Sequence, residues 1–235
     1  KKIEFYAVDH VSFQVMPGQT VGIVGESGSG KSTLAKLLCC LEEPTEGQIR
    51  LCGQEIGKRK GKKQREMYRK LQMVFQDPVS SFDPRRTLGD GIGESLRNHG
   101  MSREEARKRV ELLLEQCDLP EEFAGRYPHE VSGGQCQRAA IARALAIEPQ
   151  LLICDEATSA LDVTVQKQIM ELLDRMRKEK NLTILFICHN LALVQSFCDQ
   201  ILVMKQGKIV EEGKPEEVIR HPQHAYTKQL VESVL

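Results

Sequence analysis

Apolar residues in this chain fall into two kinds of run. Some are short and nearly unbroken: Thr20-Val21-Gly22-Ile23-Val24, Leu71-Gln72-Met73-Val74-Phe75, Leu151-Leu152-Ile153-Cys154 and Thr183-Ile184-Leu185-Phe186-Ile187-Cys188. Others recur every three or four positions: Ala106, Val110, Leu113 and Leu114; Ile141, Ala144 and Leu145; Val165, Ile169, Leu172, Leu173 and Met176. A short unbroken run is how a strand buried on both faces reads, and that implies a parallel sheet covered by helices. The wider spacing marks helices with one buried stripe. The pattern therefore predicts an α/β fold with a doubly covered, mainly parallel sheet. Val11, Phe13 and Val15 alternate with Ser12 and Gln14, which predicts a further strand over residues 7–15 that enters the Pro17-Gly18 turn. A helix is expected from Lys31 to about Leu41 and a short strand over 47–51. Lys205-Gln206-Gly207-Lys208 between Ile201-Leu202-Val203-Met204 and Ile209-Val210 reads as a hairpin. From about 80 to 130 helical periodicity dominates, and Ser102 with Glu105 forms a capping-box signature. This block is a candidate helical subdomain inserted in the α/β core. Residues 215–235 read as a C-terminal extension of two short helices around His221-Pro222-Gln223-His224.

Composition narrows the class. The 235 residues suit one large domain, 1–235, with a sizeable insertion. Lys plus Arg and Asp plus Glu both number 33, so the chain as a whole offers no long-range attraction for nucleic acid or anionic lipid. The basic stretch Lys58 to Lys70 lacks an aromatic ladder and reads as a solvated loop and helix face, without nucleic acid as a partner. No run approaches the length of a membrane span, and Lys1-Lys2-Ile3-Glu4 leads into no apolar signal region. Eight cysteines, none in a C-x-x-C pair and most inside apolar runs, read as buried reduced thiols of a cytosolic protein.

The chemistry begins at Gly25-Glu26-Ser27-Gly28-Ser29-Gly30-Lys31-Ser32-Thr33. A buried strand precedes it and a helical pattern follows, the context in which G-x-x-x-x-G-K-[ST] is a phosphate loop. Glycines let successive N–H groups turn inward, and the helix start adds free N–H donors and a positive dipole end. Lys31 supplies charge to the β- and γ-phosphates, and the Ser32 hydroxyl can ligate Mg²⁺. Four further stretches sit at strand ends or helix starts. Asp155 closes a buried strand, where an aspartate can hold Mg²⁺, and Glu156 beside it can orient or deprotonate an attacking water; two adjacent carboxylates also occur simply at loop starts. His189 follows another buried strand, within reach of a γ-phosphate, although such a histidine is commonly structural. Gln76 can touch the metal or the water, or be an ordinary loop residue. Val131-Ser132-Gly133-Gly134-Gln135 offers an N-cap serine and glycine N–H groups, a second anion site. One nucleotide has no use for two such sites on a single chain, which points to a head-to-tail dimer with a nucleotide between subunits.

The whole set, residues 25–33, Gln76, 131–135, 151–156, Ser159-Ala160-Leu161-Asp162 and His189, resembles in order and spacing the nucleotide-binding domain of ABC transporters. The resemblance covers essentially the whole chain. It implies a P-loop NTPase fold: a RecA-like mixed parallel sheet, an antiparallel β subdomain and an inserted helical subdomain. It implies ATP and Mg²⁺ as cofactors, with Ser32, Gln76 and Asp155 on the metal and Glu156, His189 and Gln76 catalytic. Ser132, Gly133, Gly134, Gln135 and Asp162 would serve the partner's ATP. The family's adenine-stacking aromatic lies near the N-terminus, where Tyr6 is the candidate. Phe75-Gln76-Asp77-Pro78, Phe82-Asp83-Pro84-Arg85, Tyr127-Pro128-His129-Glu130 and His221-Pro222-Gln223-His224-Ala225-Tyr226-Thr227 resemble more narrowly the oligopeptide, dipeptide and nickel importers. That implies a second identical or paralogous ATPase subunit, two membrane permease subunits, an extracellular solute-binding protein, and a peripheral position on the cytoplasmic face of the cell membrane. A non-transport ABC ATPase on ribosomes or DNA is the alternative, but those resemble tandem or coiled-coil-inserted chains. A small-molecule kinase would leave residues 132–135 without a role. Departures from the family pattern are mild: Val131 for Leu, Cys136 and Cys154 for commoner residues, and Asn190 where Asp is frequent.

Overall fold

A computed structural model describes residues 5–57, 61–159 and 161–233. The expectations for Lys1 to Glu4, Lys58 to Lys60, Ala160 and the last two residues lie outside these. In chain order the elements are β1 (Thr20–Val24), α1 (Lys31–Leu38), β2 (Ile49–Leu51), β3 (Gln54–Ile56), α2 (Lys62–Lys70), β4 (Leu71–Val74), α3 (Leu88–Asn98), α4 (Arg103–Gln116), α5 (Gly133–Leu145), β5 (Leu151–Asp155), α6 (Val163–Lys180), β6 (Thr183–Ile187), α7 (Leu191–Phe197), β7 (Gln200–Lys205), β8 (Lys208–Gly213), α8 (Pro215–Arg220) and α9 (Ala225–Glu232). Single 3-10 turns cover Glu121–Gly125 and Pro128–Glu130. Contacts divide the chain into two compact units, 1–71 with 183–235, and 72–182.

In the first unit β1 lies between β6 and β7, parallel to both, in register Val21 to Leu185 and Val21 to Gln200. β8 joins β7 antiparallel through the Gln206-Gly207 turn, both residues at positive φ, so the hairpin read from sequence is present. β1 is buried at every position, and Ile184, Leu185, Phe186 and Ile187 of β6 are buried with it. That is why these strands carry no polar alternation. β2 and β3 form a separate antiparallel pair, which adds a strand, 54–56, to the one expected at 47–51. The strand expected over 7–15 is not formed among the described residues. Val11, Phe13 and Val15 are half-buried and Ser12 and Gln14 exposed, so the two-residue period is present without a ladder. Burial alone produces that period in any extended segment lying on a surface.

In the second unit β4 and β5 are neighbours. The helical block expected at 80–130 lies within this unit. α3 and α4 pack on each other and on α5, with Leu88, Ile92, Leu96, Val110, Leu113 and Leu114 buried. Local chemistry fixes each helix start. Thr87 caps α3, and the Ser102 hydroxyl accepts from Glu105 N–H while the Glu105 carboxylate accepts from Ser102 N–H, completing the expected box. α6 begins at Asp162 and ends at Asn181 in the left-handed conformation.

Candidate functional site

The residues 25–33 connect β1 to α1. Like α2, α1 starts on a glycine. Its N-cap is Gly30, no side chain caps it, and its first turn holds no acidic residue. The helices α3, α4, α5, α6 and α7 all begin with a side-chain oxygen accepting from the first turn. The start of α1 thus presents its positive dipole end without a side-chain cap. Lys31 is only 5% exposed, and its ammonium is folded into the loop, donating to Gly25 O at 2.7 Å and Glu26 O at 2.9 Å. Gly30 has φ of 105°, and a Cβ there would stand 2.3 Å from Ala7 O, so only glycine fits. With the Lys31 ammonium in the loop, an uncapped helix start beside it and Glu26 as the one acid of 25–33, the chemistry fits a phosphate chain.

The same close approach locates Tyr6. Ala7 O packs on Gly30, and Asp9 N–H donates to Gly207 O while Gly207 N–H donates to Ser29 O, so the 6–9 segment lies beside the loop. Tyr6 is 55% exposed there and Phe5, which the sequence reading passed over, 87%. His189 follows β6 on the same unit and is exposed. Asn190 beside it caps α7, accepting from Ala192 N–H at 2.9 Å, a task the more frequent Asp would perform with the same oxygen.

In the second unit Asp155 ends β5, half-buried, and Glu156 follows it in the left-handed region at φ 48°. A glutamate there stores about 1–3 kcal/mol of backbone strain, as functional turns often do. Gln76 Nε2 lies 3.5 Å from Ser159 Oγ, and that hydroxyl donates to Glu156 O at 3.0 Å. Ser159 thus links the Gln76 side chain to the backbone carbonyl of Glu156, a bridging role the sequence reading did not identify. The 132–135 stretch is partly self-satisfied: Gln135 N–H donates to Ser132 Oγ at 3.3 Å and Ser132 N–H to Gln135 Oε1 at 2.9 Å. Gly134 has a packing reason to be glycine, since a Cβ would stand 2.6 Å from Val165 Cγ1 on α6. Asp162 accepts from Val165 N–H at 3.0 Å as the cap of α6. At the far end of α5, Arg143 donates to Ser81 O at 2.5 Å and Ser81 Oγ at 2.9 Å, with its guanidinium 4.2 Å from the Phe82 ring centroid. Arg143 and Tyr226 (below) carry no sequence signal for these contacts, because their partners lie 62 and 200 residues away.

Among the described residues no three His, Cys, Asp or Glu side chains group as a metal cage. The Ser32 hydroxyl in the first unit and the Asp155 carboxylate in the second are each a hard oxygen donor. That suits Mg²⁺, which keeps waters and takes phosphate oxygens in place of a full protein shell.

Comparison with known proteins agrees with this chemistry. Residues 8–159 match the family model described as ABC transporter. The chain is 45% identical over 230 residues to the oligopeptide transport ATP-binding protein OppF of Salmonella typhimurium, covering 97% of this chain and 69% of that one. It is 47% identical over 232 residues to the glutathione import ATP-binding protein GsiA of Salmonella paratyphi A, covering 98% of this chain and 37% of that one. Among solved structures, the ATP-binding cassette MJ0796, in a dimeric post-hydrolysis state bound to ADP and Pi, superposes with a TM-score of 0.83 at 33% identity, over 92% of this chain and 93% of that one. The chain belongs to the ABC transporter family, as an ATP-binding subunit that hydrolyses ATP.

Proposed function

We propose that this ATPase drives import of short peptides. The observation that carries the reading is the phosphate loop, with its uncapped, acid-free helix start and its buried Lys31. The relatives are named for oligopeptides and glutathione, itself a tripeptide, and this favours a peptide cargo over nickel. Two such subunits, identical or paralogous, would share two ATP molecules; MJ0796 is described as dimeric in a post-hydrolysis state bound to ADP and Pi. The 25–33 loop would hold the phosphates, with Tyr6 beside the base. Ser32, Asp155 and Gln76 would hold Mg²⁺, which when bound neutralises phosphate charge. The Glu156 carboxylate would orient and deprotonate the attacking water, with Gln76 as a further polar group on the water or the metal. His189 contacts the γ-phosphate. Ser132, Gly133, Gly134, Gln135 and Asp162 of one chain face the ATP of the other. Two permease subunits then respond to movement of the 80–130 block, and a solute-binding protein delivers cargo outside. No helix among the described residues is long and apolar enough to cross a membrane, which fits a subunit held peripherally at the cytoplasmic face by those permeases.

Glu156→Gln tests the mechanism. The variant should bind ATP as tightly as the unaltered chain, lose turnover by at least about 100-fold, and accumulate as an ATP-bound dimer on size exclusion. Hydrolysis at the unaltered rate would remove Glu156 from the base role.

A further inference from the structure

The C-terminal helix reaches the phosphate loop. Glu26 is the first residue after Gly25, and its N–H is donated to the Tyr226 hydroxyl at 2.8 Å. Tyr226 is only 3% exposed. Its ring is held in place: the Lys205 ammonium at the end of β7 lies 4.6 Å from the ring centroid. The helix that carries it is held as well. His224 Nδ1 accepts from Tyr226 N–H at 3.1 Å, and the Glu211 carboxylate on β8 accepts from the N–H groups of Gln223 and His224, each at 2.9 Å. Packing alone would be served equally by phenylalanine. A buried hydroxyl needs a polar partner, and the one it finds is a backbone donor of the nucleotide loop.

We propose that Tyr226 is a positioning residue of the ATP site. Its hydroxyl fixes the Glu26 peptide, and so presets the N–H groups that follow it in the loop. The segment from α8 to α9 thereby sets the affinity for ATP. Without the bond the ATP-free loop spreads over more conformations, and the apparent Kd rises in inverse proportion to the competent fraction that remains. The proposal rests on the reading of residues 25–33 as the ATP site.

The test is Tyr226→Phe in the full chain, with ATP affinity read by titration of a fluorescent ATP analogue and turnover by phosphate release. Loss of one neutral hydrogen bond predicts a two- to fivefold rise, roughly, in Kd and in KM for ATP, with kcat at saturating ATP within about twofold. Leu230→Ala, on the same helix and 8% exposed, is the control for mere destabilisation. It should lower the melting temperature and leave the Kd for ATP unchanged. The proposal is overturned if Tyr226→Phe binds ATP as tightly as the unaltered chain, or if Leu230→Ala weakens binding equally. If the unaltered chain binds no ATP, or Lys31→Ala binds it as well, the reading of the loop falls and this proposal with it. If binding depends on Lys31 and not on the Tyr226 hydroxyl, only this proposal falls.

Discussion

Gly134 can be asked directly whether it is glycine for the sake of an anion or of a helix crossing. A Cβ on it would stand 2.6 Å from Val165 Cγ1, whereas carbon atoms settle at about 3.5–4.0 Å. Val165 lies in α6, where a valine has essentially one χ1 rotamer, so it cannot swing aside and α5 and α6 must part. Overpacking of this kind costs about 1–3 kcal/mol, and at this chain length each kcal/mol is worth about 2–4 °C in melting temperature. Val165→Ala removes both γ-methyls and leaves the Val165 Cβ, which is 3.7 Å from the added methyl. Val165 is half-buried, so this change alone costs about 1 kcal/mol. The double variant should therefore be about as stable as Val165→Ala, with a coupling of about 1–3 kcal/mol in the four-protein cycle. The added methyl points at α6, so ATP turnover should return with stability. Effects that add to within about 0.5 kcal/mol would refute the crossing argument. Restored stability with turnover still lost would show that the glycine face itself is needed by the nucleotide.

Two further outcomes follow from charge and burial. Asp77 accepts from Val79 N–H at 3.0 Å and Ser80 N–H at 3.2 Å, and the Ser80 N–H foremost holds its carboxyl below the ordinary 3.8. A lowered carboxyl stabilises the fold above its unfolded value and loses that contribution as pH falls through the folded one. The stability gap between the unaltered chain and Asp77→Asn should then be constant near neutrality and close only below about pH 4; a gap that opens between pH 6 and 8 would contradict this. Burial pushes the Cys154 and Cys117 thiols up to about 12 and Cys136 to about 11, so all three stay protonated and inert at pH 8. Cys52 is exposed and should account for the fast phase of thiol labelling. That phase should vanish in Cys52→Ser, and fast native labelling at Cys154 would mean that β5 is not buried as described.

The elements that could be read from sequence are those whose signal is local. The phosphate loop, the Ser102 box and the buried strands each declare themselves within ten residues, through spacing, capping chemistry or unbroken apolar character. The segment 7–15 shows the limit of that signal. Its alternation reports which side chains are covered and says nothing about whether a neighbouring backbone completes a ladder. The strained φ of Glu156, the bridge through Ser159, the grip of Arg143 on Ser81 and the Tyr226 contact share a different character. The Glu156 φ leaves no mark in residue type, and the Gln76–Ser159, Arg143–Ser81 and Tyr226–Glu26 contacts arise only when the fold brings a partner from 83, 62 or 200 positions away. Gly134 has a second reason to be glycine that its neighbourhood does not show, since the valine it makes room for lies 31 positions on.

α5 carries Ser132 at one end and Arg143 at the other, with the guanidinium clamped on the segment after Gln76. A helix of 13 residues is a rod about 20 Å long. Tilting such a rod by roughly 10° about its Arg143 end sweeps the other end through about 3 Å, the length of one hydrogen bond. The clamp thus makes α5 a lever with its fulcrum beside the glutamine segment. A shift of Ser81 and Phe82 that kept the two Arg143 bonds would reach the Ser132 end enlarged by the length of the helix.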